Sequence, residues 1–239
     1  MKLRDLDILE DKSKLAELPE GKLLINTVNA HSYNVAQKDA LFAEALAKGD
    51  VLLPDGAPIP WACRLLGHKN PPKSRTAGWD LFEFEMDKWN KKGGRVMFMG
   101  SSEKVLSLIR NKAKETYPNL EVVTFSPPFK PEFTAEDTKE IIKHINEANP
   151  DLLWIGMTAP KQEKWTYSNW ADMNIHCHVG CIGAVFDFFA GTTKRAPIWW
   201  QKHSLEWLYR LCSEPRRMFK RYVLGNPLFV WNVLKEKYA

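Results

Sequence analysis

No stretch of this 239-residue chain approaches the roughly 18 consecutive apolar residues that a membrane-spanning helix needs. The opening MKLRDLDILEDKSKLAELPE is studded with charge and holds no apolar run of the kind that marks a signal peptide. The chain is therefore expected to be made and kept in the cytosol. Cysteine is scarce: Cys63, Cys177, Cys181 and Cys212 show no Cys-x-x-Cys spacing. Scattered cysteines in a cytosolic chain are reduced core residues rather than a disulfide framework. His176, Cys177, His178 and Cys181 resemble a metal set at first glance. In a strand, however, alternate side chains face opposite ways, so Cys177 would point away from both histidines, and strand packing is the expectation. Neither a GxGxxG turn nor a Walker A loop is present, which weakens the dinucleotide and P-loop readings.

What is present is the balance of a folded globular protein, 44% hydrophobic and 26% charged. The net charge of +5 is unevenly spread. Residues Arg195 to Ala239 carry nine Lys/Arg against three Asp/Glu, which leaves the other 194 residues close to neutral. Four of the ten tryptophans, Trp199, Trp200, Trp207 and Trp231, fall in the same basic tail. A neutral body with a basic, aromatic end points to a local anionic partner. The cations cluster on one short helix rather than a broad face, which argues against nucleic acid.

Along the body, KLLIN (22–26), VLL (51–53), RVMFM (95–99), LEVVTF (120–125), LLWIG (152–156) and HCHVG (176–180) read as strands. Helical patterns run between them. One spans Ser32 to Lys48 and stops at Gly49; others reach Gly67, cover 79–92, start at Ser102, span Thr134 to Ala148 and open near Pro160. The alternation predicts an α/β fold with a parallel sheet covered on both faces. Ligands of such sheets bind beyond the carboxyl ends of the strands. Thr27, Asn29, Asp55, Gly100, Ser101, Lys161, Gln162 and Glu163 all follow strands directly, so they can converge on one crevice.

Thr27 and Asn29 in TVNAHSYN can present hydrogen bonds to a sugar or phosphate, or simply cap the loop. Asp55 in LLPDGAP sits where a carboxylate can act as a general base; the alternative is an ordinary Asp-Gly turn. Gly100 and Ser101 in MFMGSSEKV stand at a helix start, where free N–H groups favour phosphate. Lys161, Gln162 and Glu163 occupy a first helical turn, as ligand groups or as caps. Many sugar-nucleotide transferases use an Asp-x-Asp pair to hold a metal. The only such pair here, Asp5-Leu6-Asp7, precedes the first strand. Any sugar nucleotide would need cations and helix ends to balance its charge instead.

In the tail, Pro215 opens a new helix carrying Arg216, Arg217, Lys220 and Arg221. At about 100° per residue these cations share one face, and Met218, Phe219, Tyr222 and Val223 share the other. Such a helix packs its apolar face on the body or lies at a membrane surface.

TVNAHSYNVAQKDALFAEAL, LLPDG, SRTAGWDLF, GMTAPKQEKW, VGCIGAVFDFFAGTTKRAP and SLEWLYRLCSEPRRMFKRY together resemble, in the same order, the WecG/TagA/CpsF family of bacterial glycosyltransferases (glycosyltransferase family 26). The resemblance covers about residues 22–224. It implies a Rossmann-like catalytic core, placed at 1–195, and a basic helical appendage at 196–239. It implies inverting, metal-independent transfer of a sugar from a UDP-sugar, without a cofactor, to a polyprenyl-diphosphate-linked saccharide. That transfer would take place on the inner face of the cell membrane, with peripheral contact. Relatives use N-acetylmannosamine, its uronic acid, glucose and other hexoses to build surface polysaccharides or teichoic acid linkages, which leaves the sugar and pathway open. A homo-oligomer is compatible with the sequence.

By the same resemblance, Asp55 matches the catalytic aspartate and Thr27 and Asn29 lie beside the sugar. Arg75 and Gln162 match substrate-binding positions. Arg210, Arg217, Lys220 and Arg221 match the cations that hold the lipid diphosphate. Position 220 departs from the family in carrying Lys, which keeps the charge without the bidentate fork. The UDP leaving group would be held by backbone N–H groups near Gly100 and Ser101. The rival reading is a non-enzymatic nucleotide-binding adaptor with a membrane-binding tail.

Overall fold

The computed structural model describes residues 1–238. Six strands form a single parallel sheet: β1 (Leu23–Val28), β2 (Val51–Pro54), β3 (Arg95–Gly100), β4 (Glu121–Phe125), β5 (Leu152–Gly156) and β6 (His178–Cys181). Their order across the sheet is β2-β1-β6-β5-β3-β4, with every neighbouring pair parallel. Strand β6 begins at His178, two residues later than HCHVG suggests. The strands of the sheet's middle are buried end to end because helices cover both faces.

The helices are α1 (Ala30–Ala36), α2 (Ala40–Ala47), α3 (Pro58–Leu65), α4 (Gly78–Lys92), α5 (Glu103–Thr116), α6 (Ala135–Ala148), α7 (Lys161–Ser168), α8 (Gly183–Ala190), α9 (Ile198–Lys202), α10 (Glu206–Ser213), α11 (Pro215–Met218) and α12 (Gly225–Tyr238). On one sheet face Phe98, Leu152 and Trp154 pack with Phe82 of α4, Ile109 of α5 and Phe186 of α8. On the other, Met97, Met99, Leu153 and Ile155 pack with Ile141 and Ile145 of α6 and Trp165 of α7. The alternation of partners along β3 and β5 is the two-residue period of a strand read on both faces. A third cluster joins Val28 and Leu52 to α1, α2, α3 and Phe229 and Val233 of α12.

Two helix expectations change. The single helix over Ser32 to Lys48 is two helices, because Asp39 caps α2 by accepting from the Phe42 amide at 3.0 Å. Lys164 pairs with the same carboxylate at 2.9 Å and fixes the break. The start also moves, since Asn29 caps α1 and Ser32 lies within its first turn, completing the capping box. The helix expected from Thr134 opens on a capping box with Asp137 that forms in both directions.

The tail differs from its helical wheel. After α11, residues Phe219–Leu224 wind as a π-helical turn, in which each residue advances by roughly 80° rather than 100°. The basic and apolar faces therefore do not separate. Met218 is buried at 2% exposure, while Phe219 is 51% exposed, and Arg221 turns inward. The last helix closes back on the body. Glu236 on α12 accepts from the Leu3 and Arg4 amides at 2.9 Å each and from the Tyr33 hydroxyl at 2.6 Å. Among the described residues, no helix is long and apolar enough to cross a membrane.

Candidate active site

The site is built from the carboxyl edge of the sheet. Parallel pairing sets Val28 of β1 beside Pro54 of β2, and the next residue's amide, Asp55 N, donates to the Val28 carbonyl at 2.8 Å. This places Asp55 and Asn29 next to one another just past two adjacent strands. The Thr76 amide donates to the Pro54 carbonyl at 2.9 Å, so the Ser-Arg-Thr-Ala-Gly segment runs along the same edge and delivers Arg75. Thr27 is half-buried on β1, one residue short of the strand's end.

Asn29 has two roles. Its side-chain oxygen accepts from the His31 and Ser32 amides at 3.0 Å each, starting α1. Its amide also contacts the Asp55 carboxylate and lowers that group's pKa. Capping and site placement, alternatives in the sequence, coexist because the helix that Asn29 starts leaves directly from the crevice.

Burial dominates the Asp55 carboxyl and raises its pKa above the ordinary value; the Arg221 guanidinium opposes this most strongly, Glu206 adds to it, and Arg75 and Asn29 oppose it. Arg221 arrives from the π-helical turn. Burial lowers its own pKa, Asp55 works in the opposite direction, and its Nε is buried without a partner. Arg210 lies against Phe188 of α8, its guanidinium 5.5 Å from the ring centroid, and its Nε is likewise unpartnered. Arg217 Nε pairs with Glu214 at 2.9 Å, and Lys220 is exposed. Of the four tail cations singled out in the sequence, Arg221 is the one whose charge acts directly on Asp55.

The remaining candidates lie along the same edge but turn elsewhere. Gly100 has φ +122°, and a Cβ there would come within 2.3 Å of the Gly156 carbonyl oxygen, so only glycine fits. Ser101, also at positive φ, donates its amide to that carbonyl at 2.9 Å. The Ser101 N–H is therefore engaged within the sheet edge and is not free for a phosphate. The first-turn amides of α5, from Glu103 and Lys104, have no intrahelical acceptor.

Lys161 turns toward the loop before α6. Its Nζ donates to the Lys130 carbonyl at 2.5 Å and lies 3.5 Å from the Phe133 ring centroid. Gln162 and Glu163 point into the protein, at 4% and 2% exposure. The Gln162 side-chain oxygen accepts from the Met157 amide at 3.1 Å and the Gly183 amide at 3.2 Å, and its nitrogen donates to Glu163 at 2.8 Å. Gln162 thus braces the turn after β5 against the start of α8. A first-turn position cannot tell an inward side chain from one aimed at a ligand, which is why the sequence put these residues at the substrate.

Three site residues carry no functional assignment in the sequence reading. His31 sits in the first turn of α1, half-buried, with its pKa lowered by burial and then by Arg221. Glu206 lies between Arg75 and Arg195, pairing with both. The signal for Glu206 was its sign, as one of three acids in a strongly basic tail. His178, considered above with the cysteines, uses both ring nitrogens on Glu85 at 2.8 Å and the Pro19 carbonyl at 2.9 Å. Cys177, Val179 and Cys181 pack in the opposite cluster, as strand alternation requires.

A parallel α/β sheet whose carboxyl edge presents a half-buried aspartate under the charge of Arg221 and Arg75 is an arrangement that suits an enzyme acting on an anionic substrate. The Glycosyl transferase WecG/TagA/CpsF family model matches residues 4–239. The chain belongs to that family and is a glycosyltransferase. It is 33% identical over 214 residues, covering 90% of this chain and 80% of the relative, to an N-acetylglucosaminyldiphosphoundecaprenol N-acetyl-beta-D-mannosaminyltransferase of Bacillus subtilis (strain 168). A protein of the same name from Bacillus spizizenii is 31% identical over 215 residues, with the same coverage.

Proposed function

We propose that the protein transfers a sugar, N-acetylmannosamine or a related hexose, from a UDP-sugar to a polyprenyl-diphosphate-linked N-acetylglucosamine, with inversion at the anomeric carbon. The observation that carries this reading is the placement of Asp55 next to Asn29 at the carboxyl edge of the sheet, within reach of the charge that Arg221 brings from the tail. Asp55 takes the proton from the acceptor hydroxyl as that oxygen bonds to the anomeric carbon. The bond from that carbon to the UDP oxygen breaks with its electron pair, and UDP leaves. The base and the leaving group stand on opposite faces of the sugar, as inversion requires.

The names of the two Bacillus relatives support this donor sugar and acceptor. Residues 1–195 serve as the catalytic core and 196–239 as the acceptor-facing appendage, with α12 anchoring the appendage on α1. Arg210, Arg217, Lys220 and Arg221 draw the acceptor diphosphate to Asp55, Arg221 nearest. Exposed Ile198, Trp199, Phe219 and Leu224, beside exposed Lys202 and Lys220, suit a peripheral contact with the inner face of the cell membrane, where the acceptor lipid resides.

The test is to incubate the protein with a panel of UDP-sugars and short-chain lipid-diphosphate-N-acetylglucosamine and to read products by mass. A product heavier by one sugar, with release of UDP and loss of product in Asp55→Asn, is expected. No sugar addition from any UDP-sugar would refute the reading.

A further inference from the structure

Arg75 and Arg195 converge on one carboxylate. Arg75 Nη1 lies 2.9 Å from Glu206 Oε2, and Arg195 Nε lies 3.7 Å from the other oxygen, Oε1. The three side chains are 23%, 21% and 19% exposed, so the group is partly shielded and still open to solvent. Arg195 is steadied from behind, its guanidinium 5.2 Å from the Trp79 ring centroid. Two guanidinium groups on separate oxygens of one anion is the arrangement that also grips a phosphate.

The carboxylate comes from the tail, 131 residues from Arg75 in sequence. Of the tail's three acids, Glu214 pairs with Arg217 and Glu236 holds the amino-terminal segment. Glu206 alone reaches the Asp55 crevice, where its charge opposes ionisation of that carboxyl. An anion held beside the general base works against the base. The same two arginines would hold a diphosphate equally well, and a diphosphate and Glu206 would repel one another if both were present.

We propose that Glu206 holds the place of a substrate phosphate: Arg75 and Arg195 form an anion seat, and a diphosphate enters it by displacing the Glu206 carboxylate. This rests on the transferase reading above, in which both substrates carry a diphosphate. Glu206 is then a competitor built into the tail. Its release on substrate binding would free the segment around α10 to settle over the lipid.

Titration calorimetry of the full chain with inorganic pyrophosphate, UDP and farnesyl diphosphate tests this. Glu206→Gln removes the competing charge and keeps the shape, so pyrophosphate should bind at least about threefold more tightly than to the unaltered protein. A gain carried by UDP assigns the seat to the donor; a gain carried by farnesyl diphosphate assigns it to the acceptor. Arg195→Gln should weaken the same ligand by a similar factor. If Glu206→Gln binds all three ligands no better, or worse, Glu206 merely positions the arginines and the proposal fails. Should Glu206→Gln lose its fold by circular dichroism, Arg195→Gln decides alone: unchanged pyrophosphate binding overturns the seat. Sugar transfer by the unaltered protein is measured on the same preparation, so a failed seat and a failed transferase reading give different results.

Discussion

Two acidic side chains follow strands at the same edge of the sheet, and their surroundings differ. Asp55, after β2, is acted on by Arg221, Arg75 and the Asn29 amide. Glu163, after β5, meets the Gln162 amide and no cation, and its Oε2 is buried without a partner. Burial raises both. Counter-charges hold Asp55 back, whereas burial pushes Glu163 to about 7. The difference separates chemistry from architecture at one edge. On the proposed mechanism Asp55 must ionise to act as a base, and Arg221 from the tail and Arg75 from the core act in that direction. A brace need only hold Gln162 in place, and a neutral carboxyl can do so.

Removing the charge at Asp55 breaks the comparison most severely. Asp55→Asn should lower sugar transfer by about 10² to 10⁴-fold, the usual contribution of general acid–base catalysis. The same change should stabilise the fold at neutral pH. The folded pKa is raised, so the folded state prefers the protonated form, and the ionised carboxylate opposes folding above the ordinary aspartate range. Melting temperatures compared at pH 8 and pH 4 should show a gain for Asp55→Asn at pH 8 that fades at pH 4. Normal turnover by this variant would remove Asp55 from the mechanism.

Arg221→Ala should come next, lowering kcat by about tenfold or more through the lost preorganised charge. Arg221 is the largest influence lowering the Asp55 pKa, so without it that pKa rises further. The acid limb of the pH–rate profile should move to higher pH. An unmoved limb would mean that Arg221 serves the substrate alone.

The sheet and its strand ends were legible because period and punctuation are local properties. LLPDG placed Asp55 at a strand end, and TVN placed Asn29, from their own few residues. The failures share one cause, which is that direction is set by distant partners. Gln162 and Glu163 turn inward because Met157 and Gly183 offer amides there. Ser101 loses its free N–H to Gly156, a strand away. The π-helical turn carries Arg221 inward, and a fixed 100° wheel cannot represent it. Glu206 was visible only as a minority charge; its meaning depends on Arg75 and Arg195 arriving from other segments.

Glu163→Gln sharpens the other half of the comparison. The folded carboxyl stands at about 7 against an ordinary value of 4.5. Between those values the folded state keeps a proton that the unfolded chain releases, so this group's contribution to stability falls as pH rises through the window. The amide does not titrate, so Glu163→Gln should lose that slope and gain on the order of 1–3 kcal/mol over the unaltered protein from pH 5 to pH 8. Denaturant titrations at both values measure it. A slope that persists in the variant would place the titrating group elsewhere.

Lys220 predicts the smallest effect, and the comparison explains why. Arg221 beside it is half-buried and its charge acts on Asp55, whereas Lys220 is exposed and, among the described residues, no partner fixes its ammonium. An exposed cation adds to the field that attracts an anionic lipid without gripping it, and salt screens that field over about 10 Å. Lys220→Arg restores a planar fork, but a fork gives bidentate binding only where its surroundings hold it still. The apparent KM for the lipid acceptor should therefore change by less than about twofold on Lys220→Arg, and Lys220→Gln should raise it modestly at low salt and hardly at all at high salt. A large gain from the arginine would mean that position 220 touches the diphosphate directly, and that the tail closes further over the crevice once its substrate is bound.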